Sequence, residues 1–362
     1  MKLHVFNPEH DLALAAKQSQ FTAPHAGRQL RSDLAFIPAL WADEGDFVLV
    51  DDIDNARDKV RHLGVQYINK VEFITKLQLE QVFARTMEVD SIHPWGWDLA
   101  LKQELLRIGC PEIMLPTNED LAEIRTMSNR KFWSTRLQHD VEYVESLSQL
   151  KKLVAQLGKA VVKAPWSCSG RGVRYVTAED FVGKDRNVSL DNWIVNIVTH
   201  QGGMTVEPYY NKVKDFGMEF EMRDGKVNYL GLSLFHTVKN AYTGNIIAPE
   251  REKEEMLSAF VDCSQLESLK NHVAAVVGPC LKDLYQGPFG VDMMVCSESA
   301  EGGETFVNPC IELNLRRTMG HVSLSLASFG QECPHVMQVA FDGNRYRLRV
   351  LPGDPSEDAP LH

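Results

Sequence analysis

Two carboxylates and an amide fall where paired strands would bring them together. Asp292 lies in the apolar run from Gly290 to Cys296, and Glu312 and Asn314 close the run from Thr305 to Asn314. Residues i and i+2 of a strand share a face. Glu312 and Asn314 therefore project together, and Asp292 can join them from a neighbouring strand. Hard oxygen ligands of this kind suit Mg²⁺ that also holds phosphates. Two strand ends with ordinary polar faces account for them equally.

A second group runs from Val161 to Val173. An apolar strand delivers Lys163, and a small-residue loop, Ser167 to Gly172, follows. Backbone N–H groups of such a loop can approach phosphate oxygens closely. The lysine precedes the glycines and no G-K-[ST] follows, so this is not a P-loop. A glycine-rich hairpin turn fits the loop about as well. A third group runs from Val206-Glu207-Pro208-Tyr209-Tyr210 to Lys214-Asp215-Phe216-Gly217-Met218-Glu219. An extended segment with a proline offers backbone groups to an adenine edge, and a carboxylate beyond it could accept from ribose hydroxyls. A strand leading into a turn is the simpler account.

The elements that must position these groups are legible in outline. Lys2 to Asn7 and Asp46 to Asp51 read as strands, with helical apolar spacing from Ala26 to Trp41 between them. Leu99 to Leu106 reads as a helix ended by Gly109. From 119 to 157 the pattern is helical around a short strand at Val141 to Val144. Strands follow at Lys159 to Val162, Thr205 to Tyr209, Phe216 to Met222 and Lys226 to Phe235, the last two joined by the hairpin signal Asp224-Gly225. Glu252 to Leu284 is mostly helical, and a last strand pair spans Met337 to Val350.

Lysine, glycine-rich loop, hinge, acidic strand and E-x-N strand follow one another in this order. In that order and spacing the chain resembles the ATP-grasp superfamily, in particular its carboxylate-amine ligases, over roughly residues 117 to 330. The most specific part is Gly287-Pro288-Phe289-Gly290-Val291-Asp292 followed by Ile311-Glu312-Leu313-Asn314-Leu315-Arg316-Arg317. The resemblance implies an α/β ATP-grasp fold, two α+β subdomains gripping ATP behind a small α/β pre-grasp domain. The expected divisions are 1–116 for the pre-grasp domain and 117–204 for a lid subdomain with Lys163 and the loop. The metal and nucleotide subdomain is expected over 205–335, and a strand pair with a tail over 336–362.

The resemblance also implies roles. Lys131, in Ser128-Asn129-Arg130-Lys131-Phe132-Trp133, and Lys163 would contact the ATP phosphates. Ser169, Gly170, Arg171 and Gly172 would fold over them as a lid. Glu207, Pro208 and Tyr209 would line the adenine, and Asp215 would hold the ribose. Asp292, Glu312 and Asn314 would hold Mg²⁺ or Mn²⁺, with Glu312 bridging two ions. Arg316 or Arg317 would face the transferred phosphoryl group, with Lys239 or His236 as a further cation. The implied activity is ATP- and Mg²⁺-dependent activation of a small-molecule carboxylate as an acyl phosphate, which an amine or thiol then attacks. A small-molecule kinase on the same fold and a nucleotide-binding module without turnover are the alternatives.

The pattern departs from the family in its long Asp292 to Glu312 separation, with an insert at 297–304, and in the bulk of Trp166 and Cys168 within the lid. Cys168 has no histidine or aspartate at a spacing that would make it a nucleophile, and reads as a neutral lid residue. His10-Asp11, His25 to Arg28 and His93 to Trp97 read either as substrate-pocket groups or as caps and interface residues. The bulk composition is consistent with this reading. A chain of 362 residues implies two or three domains, and a formal net charge of −11 argues against a broad nucleic-acid footprint. Seven scattered cysteines without a C-x-x-C pair argue against a disulfide framework or structural zinc. The expected setting is the cytoplasm, with no signal peptide and no membrane span.

Overall fold

The computed structural model describes residues 1–63, 70–85, 89–167, 172–183, 186–238, 241–299, 303–328 and 334–353. The first layer comprises β1 (Lys2–Val5), α1 (His10–Ala16), α2 (His25–Leu34), β2 (Phe47–Leu49), α3 (Ile53–His62), β3 (Glu72–Ile74), α4 (Lys76–Arg85), β4 (Ser91–Pro94) and α5 (Leu99–Arg107). Its strands run parallel in the order β3-β2-β1-β4. Phe47 and Leu49 pack into one core with Leu3 and Val5, while Val48 and Val50 pack into another with Phe6 and Leu34. A strand buried on both faces must be apolar at every position, as Phe47 to Val50 is. Asp52 and Asp98 cap α3 and α5 by accepting from the backbone N–H of Asn55 and Leu101.

The chain continues through α6 (Asn118–Met127) and α7 (Arg130–Leu137). A second sheet then follows in β5 (Glu142–Val144), α8 (Leu147–Leu157), β6 (Lys159–Lys163), β7 (Val173–Thr177), α9 (Val188–Gln201) and β8 (Met204–Pro208). Its order is β5-β8-β6-β7, all antiparallel. Helices α8 and α9 cover one face through Leu150, Val154 and Ile194. The expected boundary at 204/205 falls inside this sheet, because Met204–Pro208 is hydrogen-bonded to both β5 and β6. Helices α6 and α7 also depart from the expected 117–204 unit. Their apolar stripe, Leu121, Ile124, Trp133 and Leu137, is buried in the core of the large sheet instead.

That large sheet uses β9 (Asn211–Arg223), β10 (Lys226–Val238), β11 (Ala241–Ile247), α10 (Glu250–Leu257), α11 (Cys263–Leu281), β12 (Gly287–Ser297), β13 (Thr305–Asn314), α12 (Met319–Ala327), β14 (His335–Phe341) and β15 (Tyr346–Pro352). The strand order is β13-β12-β9-β10-β11-β14-β15. The β9–β10 turn holds Asp224 and Gly225 at φ of 52° and 72°, the left-handed pair that a tight hairpin needs. Along β9 the pattern alternates. Phe216, Met218, Phe220 and Met222 enter the core under α11, which leaves Asp215, Gly217 and Glu219 on the opposite face. The final strand pair does not stand apart as expected for 336–362. β14 pairs with β11, and Met337 and Leu348 share a core with Phe6 and Leu34 of the first layer. Among the described residues no helix is long and apolar enough to cross a membrane.

Candidate active site

Between the four-stranded and the seven-stranded sheets lies a cavity of about 430 Å³. Strand β6 contributes Val161 and Lys163 two residues apart, on one face of the strand. Glu207, Pro208 and Tyr209 line it where β8 ends, and Val173 and Tyr175 line it from β7. Lys163 is buried and forms an ion pair with Glu207; its Nζ also donates to the carbonyl oxygen of Ile311 at 3.2 Å. Tyr209 packs edge-on against Tyr175, with ring centroids 5.7 Å apart. With Met294 and Ile311 on the facing wall, these residues make a slot that is apolar on its sides and charged at one end.

The facing wall is set by strand register. Gly217, Asp292 and Glu312 lie side by side on β9, β12 and β13, and Glu219, Gly290 and Asn314 form the next row. Asn314 Nδ2 donates to Asp292 at 3.1 Å. Arg316 Nη2 donates to Asn314 Oδ1 at 2.9 Å, and its guanidinium grips Asp11 through Nε and Nη2. Arg316 is strongly buried, yet Asp11 holds its pKa above the usual arginine value, and Arg316 in turn outweighs burial to depress Asp11. Burial, with Glu312 and then Glu219 nearby, pushes the Asp292 carboxyl up to about 8. Two crowded carboxylates with an amide oxygen beside them are hard oxygen donors, and their chemistry fits a hard metal ion. Among the described residues no group of three acidic, histidine or cysteine side chains is placed to hold one. The set here is two carboxylates and an amide, and Arg130 and Arg316 occupy oxygens of Glu312 and Asn314.

Of the residues singled out from sequence, Lys163, Glu207, Pro208, Tyr209, Asp215, Asp292, Glu312, Asn314 and Arg316 line this one cavity. Asp215 does so while paired with Lys212 at 2.7 Å. Two others face elsewhere. Lys131 is exposed on α7, its Nζ 3.8 Å from the centre of the Tyr143 ring. On that helix Arg130, Trp133, Ser134 and Leu137 are the buried residues, so the i, i+3, i+4, i+7 stripe turns Arg130 inward and Lys131 outward. Arg130 enters the cavity wall, where it donates to the carbonyl oxygen of Ala164, to Ser167 Oγ and to Glu312. Arg317 points away from its neighbour Arg316 and stacks on Trp41 at 4.2 Å, where burial pulls its pKa down to about 10. Gly172 contributes backbone, its carbonyl accepting from Ala164 N–H at 2.8 Å. Ser169, Gly170, Arg171 and Lys239, with Cys168, lie outside the described residues. His236 is half-buried on β10, next to the cavity-lining Phe235.

Sequence reasoning missed Arg130 and Glu219. The helical phase of Trp133 and Leu137 carried the signal for the first. The alternation Phe216, Met218, Phe220 carried it for the second, since Glu219 must then face the other way.

No protein-family model matches the sequence, and no curated protein sequence matches it. Solved structures do. N5-carboxyaminoimidazole synthetase from Staphylococcus aureus, complexed with ADP, superposes with a TM-score of 0.50 at 14% identity, over 94% of this chain and 82% of that one. The biotin carboxylase domain of Hydrogenobacter thermophilus 2-oxoglutarate carboxylase gives 0.50 at 15% identity, over 93% and 74%. Biotin carboxylase from Campylobacter jejuni gives 0.50 at 15% identity, over 97% and 77%. These are ATP-grasp proteins, and this chain has the ATP-grasp fold.

Proposed function

We propose that the protein is an ATP- and Mg²⁺-dependent ligase that activates a small-molecule carboxylate as an acyl phosphate for attack by an amine or thiol. The observation that carries this reading is the convergence of Lys163, Asp215, Asp292, Glu312, Asn314 and Arg316 on one cavity between two sheets. The apolar slot of Val161, Val173, Tyr175, Met294 and Ile311 suits a purine, with backbone groups at Glu207 to Tyr209 beside its edge. The similar structures from S. aureus and H. thermophilus were determined with ADP, a ligand of the kind this slot would take.

Lys163 would carry positive charge to the phosphates, and Asp215 would accept from the ribose. Mg²⁺ would be held by Asp292, Glu312 and Asn314 and would neutralise phosphate charge. Arg130 would have to release Glu312, and Arg316 the Asn314 oxygen, for that. Arg316, fixed by Asp11, would face the phosphoryl group in transfer, where a positioned cation stabilises developing charge. The two sheets would exclude water from the activated carboxylate.

The test is product analysis of ATP turnover with a panel of carboxylates and amines. ADP with free phosphate and a condensed product supports the ligase. ADP with a phosphorylated product means a kinase, and nucleotide binding without turnover means a binding module.

A further inference from the structure

Beyond Asp292 and Glu312 the cavity has an inner end that the nucleotide reading leaves unused. Its wall is made by Glu219 on β9, Ser233 and Phe235 on β10, Tyr242 and Asn245 on β11, and Met319 at the start of α12. Glu219 is 2% exposed. Its Oε2 accepts from Thr318 Oγ1 at 2.8 Å and lies 2.9 Å from His321 Nδ1. Among the described residues no hydrogen bond reaches Oε1. Two glycines clear the space that this carboxylate fills, because a Cβ at Gly320 would overlap Oε1 and one at Gly290 would overlap Oε2.

The basic side chains nearby are committed elsewhere. Lys163 pairs with Glu207, Arg130 with Glu312 and Arg316 with Asp11. Among the described residues no lysine or arginine forms an ion pair with Glu219: the charges of Lys253, committed to Glu250 and the Leu232 carbonyl, and of Arg317, stacked on Trp41, reach it only at longer range, and His321 is its one ion-pair contact. A buried carboxylate on a cavity wall, without a lysine or arginine ion pair among the described residues, calls for a cation or donor from the ligand. Beside it Asn245 Nδ2 donates to Ser233 Oγ at 2.7 Å and Tyr242 donates to Asn245 Oδ1. The Ser233 hydroxyl proton is left to serve a ligand. Phe235 and Met319 supply apolar surface next to this polar group. A metal ion is the poorer match for Glu219 itself. It offers one oxygen and sits one row away from Asp292 and Glu312, the carboxylates that already form a pair across β12 and β13.

We infer that this inner end is a subsite for a primary ammonium group on an aliphatic stem, with Glu219 as its counter-ion, Ser233 as a polar neighbour and Phe235 and Met319 along the stem. The inference rests on the ligase reading and assigns the amine nucleophile to this wall of the cavity.

The experiment uses the full chain, both nucleotide-free and saturated with Mg·ADP, and two probes of equal shape, n-butylamine and n-butanol, followed by ligand-observed NMR. The expected result is at least tenfold tighter binding of the amine than of the alcohol. In Glu219→Gln the amine should weaken at least tenfold while Mg·ADP affinity stays within twofold. Equal binding of the two probes, or unchanged amine affinity in Glu219→Gln, overturns the assignment. Loss of Mg·ADP affinity in that variant also overturns it and places Glu219 among the metal ligands. If Glu219→Gln does not fold, Gly320→Ala serves, its methyl displacing the carboxylate and again costing amine affinity; full retention there overturns the proposal. A wild-type chain that binds the amine but not Mg·ADP separates the failure of the nucleotide reading from that of this subsite.

Discussion

Arg130 and Glu312 are 182 residues apart in the chain, yet Nη2 of one donates to Oε1 of the other at 2.7 Å. The same guanidinium holds the Ala164 carbonyl and Ser167 Oγ. One side chain thus ties the strand that delivers Lys163 to the strand that carries the expected metal ligands. Replacing it with glutamine leaves a carboxylate and a buried carbonyl without their donor. Arg130→Gln is expected to lower stability by about 1.5–3 kcal/mol, the scale of hydrogen bonds to charged groups. Urea denaturation measures this, and a loss under about 0.5 kcal/mol would mean that the tie carries no load.

Lys163 is expected to matter for nucleotide as well as for the buried pair that it forms with Glu207. Lys163→Ala should weaken Mg·ATP-analogue binding by about 1.5–3 kcal/mol. Calorimetry giving equal affinity for wild type and variant removes Lys163 from the phosphate site.

Glu312→Gln should still fold, since its amide oxygen can accept from Arg130, and should abolish ATP turnover, because a neutral amide cannot bridge cations as a carboxylate does. Wild-type phosphate release by this variant would refute the metal assignment to the E-x-N strand.

Asp11 lies in the first layer and reaches the cavity only through Arg316. Asp11→Asn removes the charge that orients that guanidinium. The expected outcome is a fall in kcat of about tenfold, which corresponds to about 1.4 kcal/mol, with nucleotide affinity unchanged. A change in affinity alone would make Asp11 a structural partner only.

His4 gives a pH dependence. It is buried, and desolvation lowers its pKa despite the Asp46 carboxylate 3.1 Å from Nε2. Among the described residues Nδ1 has no hydrogen-bond partner, which suits a neutral ring donating from Nε2. Because the folded-state pKa lies below the unfolded value of about 6.5, the unfolded chain takes up a proton first as pH falls. Stability is therefore full above about pH 6.5 and declines below it. His4→Gln should flatten the slope below about pH 6.5. An unchanged slope in that variant would assign the effect to other groups.

Much of this architecture is written in the sequence, and its limits have physical causes. The strands of the expected metal ligands were legible because β12 and β13 are long and apolar, which fixes the faces of Asp292, Glu312 and Asn314. Strands β3 and β4 were not, because Glu72-Phe73-Ile74 and Ser91-Ile92-His93-Pro94 lack the unbroken apolar run that marks β2. The choice of Lys131 over Arg130 came from motif likeness, whereas the phase set by Trp133 and Leu137 decides it. Glu219 carried no motif. Its significance depends on Gly290 and Gly320, which come next to it only in the folded sheet and the helix beside it.

The four-stranded sheet is made from one uninterrupted stretch of chain, and its core residues run from Val144 to Val206 without a contribution from elsewhere. The first layer and the seven-stranded sheet, by contrast, share a core that draws on both ends of the sequence. The half of the grip that carries Lys163 is therefore a modular insert in a closed frame. Its outline can change without re-threading the remainder, provided that the ties of Lys163 to the Ile311 carbonyl and of Arg130 to the Ala164 carbonyl are kept.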